Sequence, residues 1–348
     1  MKKTSIAILS LVMSVLLLVV GCSGGKTSET KESGAPQEAE SHESADETEV
    51  NGNKEKVNGN KEIGAVFADL NNPVFVDMKT AIEDVCEEQG YALTVLNSEG
   101  SAEKEVQNVQ NLISKGVSAI VLLANDSDSA VNSAKYANEA EVPIVAMNRP
   151  VNNKAGEAMF VTQVITDNIT AGKMAADLAN DLVADIDAPK IAIMRGTLGV
   201  ASDLERYEGF LEGIKGTKLE NAVVSEQSGN YNTQDGYTAM QNMIQAHPDI
   251  DLVYCENDTM AVGAQSVLES GGKTNVLIIG VDGSEEVIQA VVDGKISGTI
   301  AQKFFTMGRK STEWAINAAE GKAADAPEIE LINTDLVTSE NAETYERQ

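Results

Sequence analysis

The sequence predicts an α/β fold with two parallel sheets, and three observations support this prediction. The stretch Asp251–Gly263 opens with an apolar run, Leu252–Cys255, that suits a strand buried on both faces. Polar residues end this run and apolar residues then recur at helical spacing, which is one half of a parallel βαβ unit. The same alternation recurs along the chain, with more strands than one sheet of ordinary size holds. We therefore predict two lobes, each built on a parallel sheet flanked by helices.

Short apolar runs bounded by turn residues predict the strands in chain order. They are Ile63–Ala68, Tyr91–Leu96, Ala119–Leu123, Pro143–Met147, Phe160–Ile165, Lys190–Met194, Ala222–Glu226, Leu252–Cys255, Val276–Val281, Ile296–Ala301 and two short extended pieces near the end. Helical spacing predicts a helix between most of them, and Ser101 can cap one that stops at Gly116. The other helices are Phe75–Gln89, one through Val131 and Ala137, Ile169–Leu182, one through Phe210 and Ile214, Asn232–His247, one from Met260 to Leu268, one from Ser284 to Val292, and Met307–Ala319.

The N-terminus is predicted to be a targeting segment. Lys2 and Lys3 precede an apolar run from Ile6 to Val20, which is short for a membrane span and fits a secretory signal. The run ends in Val-Val-Gly before Cys22, which resembles a bacterial lipobox. Residues 1–22 are therefore predicted to be a lipoprotein signal peptide with Cys22 as the lipid anchor. The alternative is an ordinary signal with a coincidental cysteine.

Residues 23–61 are predicted to be a disordered acidic linker, because they contain almost no apolar side chains with which to fold. Within it, Val50–Lys56 repeats nearly intact as Val57–Ile63, which we interpret as a spacer. An adhesive or metal-binding tail is the alternative, with His42 as its only histidine.

Composition limits the partners of the folded part. The formal net charge of −28 argues against nucleic acid, because a phosphate backbone would be repelled. Three cysteines do not make a disulfide framework. Since Cys22 belongs to the targeting segment, we expect Cys86 and Cys255 to be small buried hydrophobic residues.

Polar residues with planar side chains cluster just beyond the predicted strand ends and in the loops. They are Asn72, Asn148, Arg149, Arg206, Tyr231, Asn257, Asp282 and Gln302. Ligands of parallel sheets bind beyond the carboxyl ends of the strands. Arginine only donates hydrogen bonds, aspartate only accepts them, and amides do both, which is the mixture that a polyhydroxylated ligand needs. The sequence contains neither of the glycine-rich phosphate-binding motifs, which argues against a nucleotide.

Several motifs follow one another along the folded chain. They are Leu70-Asn71-Asn72-Pro73, Thr166-Asp167-Asn168 with Gly172-Lys173, Arg206-x-x-Gly209-Phe210, Asn257-Asp258-x-Met260-Ala261, Gly280-Val281-Asp282-Gly283 and Thr299-Ile300-Ala301-Gln302. In order and spacing they resemble the bacterial periplasmic sugar-binding proteins of the ribose-binding type, the extracytoplasmic receptors of ABC importers. The resemblance covers nearly all of the chain from Ile63 onward.

This resemblance implies two Rossmann-like lobes, joined by a three-crossover hinge, that close over a sugar. One lobe would take residues 62–166 plus 303–332, and the other 167–302 plus 333–343. The implied sugar contacts are Asn72, Phe75, Asn148, Arg149, Arg206, Tyr231, Asn257, Asp282 and Gln302. The two arginines would donate to sugar oxygens, Asp282 would accept hydroxyl protons, and the two aromatic residues would pack on the ring.

Three departures from the family pattern bear on specificity. An Asp-Arg pair of the family reads Asn148-Arg149 here, an aromatic position is Val74, and a phenylalanine position of the ribose binder is Tyr231. Because buried polar sites reject a mismatched hydroxyl by roughly 10⁴-fold or more, we expect a ligand other than ribose, such as a hexose or a cyclitol.

The function that this pattern favours is capture of a monosaccharide and its delivery to an ABC permease at the outer face of the cytoplasmic membrane. No catalytic residues, metal site or cofactor are expected, because no nucleophile–base pair, metal-ligand spacing or P-loop is recognisable. A sugar-modifying enzyme, a transcription regulator with the same core and a receptor component that feeds a signalling protein are the alternatives. Asn257 and Asp282 could also act only as helix caps, as we expect for Asp167, and Tyr231 could belong to the core.

Overall fold

A computed structural model describes residues 61–71, 73–151 and 159–348 of the chain. The predicted signal peptide, Cys22 and all of the linker except Lys61 lie outside the described residues. The same holds for Asn72, one of the nine predicted sugar contacts.

A first sheet is formed by strands from the beginning of the described chain and by one late strand. They are β1 (Glu62–Phe67), β2 (Ala92–Asn97), β3 (Ala119–Leu123), β4 (Ile144–Asn148), β5 (Gln163–Thr166) and β11 (Ile329–Ile332). The spatial order is β11-β5-β4-β3-β1-β2, and all neighbours run parallel. Phe160, predicted to start a strand, instead packs in the core, and regular pairing starts at Gln163.

A second sheet takes the remaining strands of the described chain. They are β6 (Ile191–Arg195), β7 (Val223–Ser228), β8 (Leu252–Cys255), β9 (Leu277–Asp282), β10 (Gly298–Ala301) and β12 (Asp335–Thr338). Their order is β12-β10-β9-β8-β6-β7. The edge strand β12 runs antiparallel to β10, because the chain returns to this sheet directly from β11.

Helices cover both sheets. They are α1 (Pro73–Gln89), α2 (Ala102–Lys115), α3 (Ser127–Glu139), α4 (Asn168–Leu182), α5 (Ala201–Ile214), α6 (Thr233–Ala246), α7 (Asp258–Ser270), α8 (Glu285–Val292), α9 (Phe304–Ala319) and a 3-10 turn (Ala342–Thr344). The predicted caps Ser101 and Asp167 are confirmed, and Ser284 caps α8. Each accepts a hydrogen bond from a backbone N–H in the first turn of the helix that follows. Gly116 ends α2 with a φ of 81°, a conformation that favours glycine.

We call the first sheet with α1, α2, α3 and α9 the first lobe, and the second sheet with α4–α8 the second lobe. Each sheet is buried on both faces by an apolar cluster, as a parallel sheet requires. Cys86 and Cys255 are free and buried in different lobes, which confirms their prediction as buried hydrophobic residues. The α/β prediction with two sheets is likewise confirmed.

The chain passes between the two sheets three times within the described residues. It crosses after β5, after β10, and between β11 and β12. Near two of these crossings, Thr166 at the end of β5 donates a hydrogen bond of 2.5 Å to Gln302, which follows β10. The carboxyl ends of the two sheets therefore meet, and we call the region between them the interlobe cleft.

Candidate functional site

Phe75, Asn148 and Arg149 are the predicted contacts of the first lobe that lie within the described residues. Phe75 lies in the first turn of α1 and is 5% exposed. Asn148 ends β4 with a φ of 69°, a left-handed conformation that asparagine tolerates better than most residues. Its amide nitrogen lies 3.8 Å from the sulfur of Met307 on α9. This turn of the backbone at Asn148 directs the chain, and Arg149 with it, out of the sheet.

Arg149 is held by main-chain oxygens. Its Nη1 donates to the carbonyl oxygens of Ala124 and Asn125, at 2.8 and 2.9 Å. The guanidinium carbon lies 5.8 Å from the centre of the Phe75 ring, within the range of a cation–π contact. A side chain fixed at one nitrogen keeps its other N–H groups for a ligand. The Arg149–Phe75 pair therefore forms a flat surface that has donors at its edge.

The loop that holds Arg149 is itself anchored by Glu105, a fully buried acid on α2. Glu105 accepts hydrogen bonds from the Asn125 backbone and side chain, at 2.6 and 3.0 Å, and from the Ser133 hydroxyl at 3.1 Å. Burial raises the pKa of Glu105, and these donors oppose the rise. The sequence analysis missed Glu105, because an acid in the first turn of a helix is ordinarily a solvated residue.

Arg206 is the central cation of the second lobe. It lies in helix α5, not in a loop as the sequence analysis placed it, because the helix begins at Ala201. Its Nε donates to Asn168 Oδ1 at 2.9 Å and its Nη1 to the Glu256 carbonyl oxygen at 2.5 Å. Nη1 also lies 3.9 Å from Asp282 Oδ1. Arg206 thus joins α4, the end of β8 and the end of β9.

Asp282 and Gln302 lie at the ends of two neighbouring strands, β9 and β10. Gln302 Nε2 donates to Asp282 Oδ1 at 2.6 Å, and its Oε1 accepts the hydrogen bond from Thr166 of the first lobe. Burial raises the pKa of Asp282, and the charge of Arg206 opposes the rise. Gln302 therefore links Asp282 of the second lobe to Thr166, which lies where the chain leaves the first lobe.

Asn257 caps helix α7, which was the alternative to its predicted ligand contact. Its Oδ1 accepts from Met260 N at 3.0 Å, so it caps α7. Its Nδ2 donates to Thr259 Oγ1 at 2.8 Å, and Thr259 donates to the Tyr231 carbonyl oxygen at 3.0 Å. The cap leaves one lone pair on Oδ1 and one N–H of Nδ2 for a ligand, and ligand contact stays a prediction.

Tyr231 is partly buried and packs against the core of the second lobe. This agrees with its interpretation as a core residue, and its role as a sugar contact stays a prediction. A Cβ atom at Gly196 would lie 1.9 Å from the Tyr231 ring, so the ring position requires glycine there. The Tyr231 hydroxyl pairs with Ser202 Oγ at 3.0 Å. Tyr231 has a φ of 57°, which costs energy for an aromatic residue and marks a constrained turn.

Glu256 is a second buried acid that the sequence analysis did not recognise as part of the site. It is 0% exposed, and its Oε2 accepts from Gly196 N at 2.7 Å. Its Oε1 has no hydrogen-bond partner in the described structure, and the same is true of the nearby Tyr254 hydroxyl. Burial raises the pKa of Glu256 to about 8, against its bond with Gly196.

Short distances join the predicted contacts in small groups: Arg149 with Phe75 in the first lobe, and Asp282 with Arg206 and Gln302 in the second. Asn72 lies outside the described residues, and a shared sugar site stays a prediction. Gln302, a predicted contact of the second lobe, accepts a hydrogen bond from Thr166 of the first lobe. A second bridge joins the lobes at their surface, where Arg347, beyond the 3-10 turn, pairs with Asp77 on α1 at 2.9 Å. Both lobes thus supply polar side chains at or just beyond the carboxyl ends of their strands.

Two absences hold for the part of the chain that the structure describes. No cluster of three or more histidine, cysteine, aspartate or glutamate residues in it could bind a metal ion. No helix in residues 61–71, 73–151 and 159–348 combines the length and apolar character of a membrane span.

Two lobes with facing strand ends, three crossovers and polar groups from both sides define a two-lobed solute-binding protein. The family model for the periplasmic binding protein domain matches residues 63–323. The chain therefore belongs to the periplasmic binding protein family.

Relatives of known function agree with this assignment. The chain is 33% identical to the ribose import binding protein RbsB of Salmonella typhimurium over 264 residues, which cover 76% of this chain and 86% of that protein. It is 34% identical to the ribose import binding protein RbsB of Bacillus subtilis over 260 residues, which cover 75% and 82%. The prediction of a ribose-binding-type family is confirmed.

Solved structures show the same architecture. A periplasmic solute-binding protein of an ABC transporter from Actinobacillus succinogenes, with bound D-allose, has a TM-score of 0.74 and 27% identity, and the match covers 82% of this chain and 99% of that one. A solute-binding protein from Bacillus halodurans with bound myo-inositol has a TM-score of 0.74 and 27% identity, with 83% and 98% covered.

Proposed function

We propose that this protein captures a monosaccharide or a cyclitol in the interlobe cleft and delivers it to an ABC importer. The observation that carries the proposal is the mixture of donors and acceptors at the facing strand ends, with guanidinium groups from both lobes and one buried carboxylate. The relatives in ribose import and the structures with D-allose and myo-inositol support the same class of ligand.

Each lobe would bind a different part of the ligand. Arg149 would donate from the first lobe while Phe75 packs under the C–H face of the ring. In the second lobe, Asp282 would accept hydroxyl protons, and Arg206 would donate beside it. The remaining contacts that we propose are Asn72, Asn148, Tyr231, Asn257 and Gln302. Binding would then favour the closed arrangement, because only that arrangement satisfies groups on both sides.

We further propose that the best ligand is not ribose. Asn148 offers an amide where the family pattern has a carboxylate, and Val74 leaves space where it has an aromatic ring. The Tyr231 hydroxyl, which is paired with Ser202, adds a polar group to the wall. A larger, more hydroxylated ring such as a hexose or an inositol suits these three changes.

A thermal-shift screen against pentoses, hexoses and inositols tests the proposal. A true ligand at a hundred times its Kd should add about 2.7 kcal/mol of stability, and calorimetry should give a micromolar Kd, which is about −8 kcal/mol. The ligand should be recovered unchanged, since the relatives are solute-binding proteins. A protein that no carbohydrate stabilises would contradict the function, and tighter binding of ribose than of any hexose or inositol would contradict the specificity.

Two matched variants assign the effect to the cleft. Arg149→Ala should weaken binding at least about tenfold, because a charged donor is worth roughly 1.5–3 kcal/mol. Arg309→Ala removes an arginine of α9 that pairs with Glu88 at the far end of α1, at 2.7 Å. It should bind like the wild type. Equal losses in the two variants would indicate general destabilisation and not a contact.

The N-terminus and the lobe boundaries belong to the same proposal. We infer that residues 1–22 are a lipoprotein signal, that Cys22 carries the lipid and that residues 23–61 are the tether at the outer face of the membrane. The lobes would divide at 62–166 plus 303–332 and 167–302 plus 333–343. Cys22→Ser should move the protein from the membrane fraction to the soluble fraction and abolish fatty-acid labelling. Unchanged labelling would contradict the anchor.

A further inference from the structure

Asp258 is a buried carboxylate with a bonded partner on each oxygen. It is the first residue of α7 and is 1% exposed. Its Oδ1 accepts from Thr299 Oγ1 at 2.7 Å, and its Oδ2 accepts from the Ser284 backbone N–H at 2.7 Å. Asp258 thereby connects the start of α7 to β10 and to the turn that follows β9.

Thr299 connects Asp258 to the backbone of Gly283. Its Oγ1 accepts from the Gly283 backbone N–H at 3.3 Å while it donates to Asp258. The backbone N–H groups of residues 283 and 284 are thus both held, one through Thr299 and one directly. The space is tightly filled, because a Cβ atom at Gly280 would lie 2.3 Å from Asp258 Oδ1.

The residue just before this turn is Asp282, whose backbone is unusual. Its φ is 135°, a conformation that residues with a side chain rarely adopt and that persists only where the surroundings fix it. Its carboxylate nevertheless has a defined position, 2.6 Å from Gln302 Nε2 and 3.9 Å from Arg206 Nη1. The bonds to Gly283 and Ser284 hold the backbone directly after Asp282.

We propose that Asp258, acting together with Thr299, is the positioning residue that holds Asp282 in the orientation that accepts the hydroxyl protons of the ligand. The inference rests on the proposed function, because it concerns the same cleft. Asp258 does not contact the ligand itself. Its effect on affinity passes through the turn at residues 283 and 284 and therefore through Asp282.

Substitutions of Thr299 separate positioning from general stability. Thr299→Val removes the hydroxyl at nearly constant volume, and Thr299→Ser keeps it. Thr217→Val is a control at an exposed site, where the hydroxyl also makes two hydrogen bonds, to Ile214 O at 2.7 Å and from Leu219 N at 3.1 Å. Thr217 follows the end of α5, at the edge of the second sheet remote from the cleft.

We expect Thr299→Val to weaken binding of the sugar found in the screen by about tenfold or more, as for loss of a bond to a charged group. Thr299→Ser should bind within about threefold of the wild type, and Thr217→Val should lower the melting temperature with an unchanged Kd. Wild-type affinity in Thr299→Val would overturn the inference while leaving the proposed function in place. A wild-type protein that binds no sugar would overturn both.

A double-mutant cycle tests the route through Asp282. Asp258→Asn alone should weaken binding, because an amide cannot accept on both sides. In a protein that already carries Asp282→Asn, the second change should cost less than about twofold. Additive losses would mean that Asp258 acts independently of Asp282 and would overturn the positioning role. Should Asp258→Asn fold poorly, Thr299→Val takes its place in the cycle.

Discussion

Glu256 makes the stability of this protein depend on pH in a direction that can be worked out. Burial raises its pKa from the ordinary 4.5 to about 8, so the folded chain holds this proton more tightly than the unfolded chain does. The free energy of unfolding must then fall as the pH rises from about 4.5 through about 8. Below about pH 4.5 the acid is protonated in both the folded and the unfolded chain, so it does not change the free energy of unfolding. Above about pH 8 the folded chain carries a buried charge, which lowers that free energy.

The magnitude follows from the size of the shift. One pKa unit corresponds to about 1.4 kcal/mol, so a rise from 4.5 to about 8 corresponds to roughly 5 kcal/mol over the whole window. About 3 kcal/mol of this falls between pH 5.5 and pH 8. The cost arises from burial of the carboxylate, and the backbone donor on Oε2 offsets only part of it, because Oε1 has no hydrogen-bond partner in the described structure.

Glu256→Gln tests this prediction, because glutamine keeps an acceptor for Gly196 and carries no charge. Urea unfolding of both proteins is followed by circular dichroism at about pH 5.5 and about pH 8.5. The free energy of unfolding of the variant, relative to that of the wild type, should rise by roughly 3 kcal/mol from about pH 5.5 to about pH 8.5. Other buried acids, such as Asp258 and Asp282, are present in both proteins and cancel in the difference. Glu226→Gln, at an exposed site on β7, is the control and should show no such gain.

A stability difference between Glu256→Gln and the wild type that is the same at both pH values, within about 0.5 kcal/mol, would refute this reasoning. It would mean that the folded protein supplies Glu256 with solvation equivalent to that of water.

Three further outcomes are expected. Gly196→Ala should displace the Tyr231 ring, whose atoms a Cβ would approach to 1.9 Å, and should weaken sugar binding more than it lowers the melting temperature. Arg206→Lys should destabilise the protein by about 3 kcal/mol in urea unfolding, because an ammonium cannot reproduce the fork of a buried guanidinium. Arg347→Ala should cost less than about 1 kcal/mol, because its pair with Asp77 is partly exposed. Similar losses in the two arginine variants would contradict the distinction between buried and exposed pairs.

Local runs of apolar residues were enough to predict the strands and most of the polar residues at their carboxyl ends. Apolar runs such as Leu252–Cys255 end where the structure ends them, because burial on both faces requires an unbroken run. The tip residues Asn257 and Asp282 follow from those ends. The antiparallel direction of β12 was not predictable from its four residues, since strand direction is set by where the chain re-enters the sheet.

The residues that orient the site were harder to find in the sequence. Glu105 meets Asn125, which is 20 positions away in sequence, and Glu256 meets Gly196, which is 60 positions away. In the sequence, Glu105 reads as an acid of a helix first turn, and Glu256 as the polar residue that ends a strand. Their burial depends on tertiary packing, which no local pattern records. Motif order predicted the ligand contacts, and the structure shows which groups hold those side chains in place.

Burying an acid costs folding free energy, yet each lobe buries one next to a predicted ligand group. Glu105 accepts a hydrogen bond from the loop that holds Arg149, and Asp258 accepts one from the turn that follows Asp282. Under the proposed function, the ligand groups of each lobe are thus held by bonds within the protein. A ligand then loses less of its binding energy to the ordering of side chains. In the proposed mechanism the remaining cost is the closure of the lobes, which a sugar would offset by contacting both of them. Affinity in this protein should therefore respond to changes at buried acids that never contact the ligand.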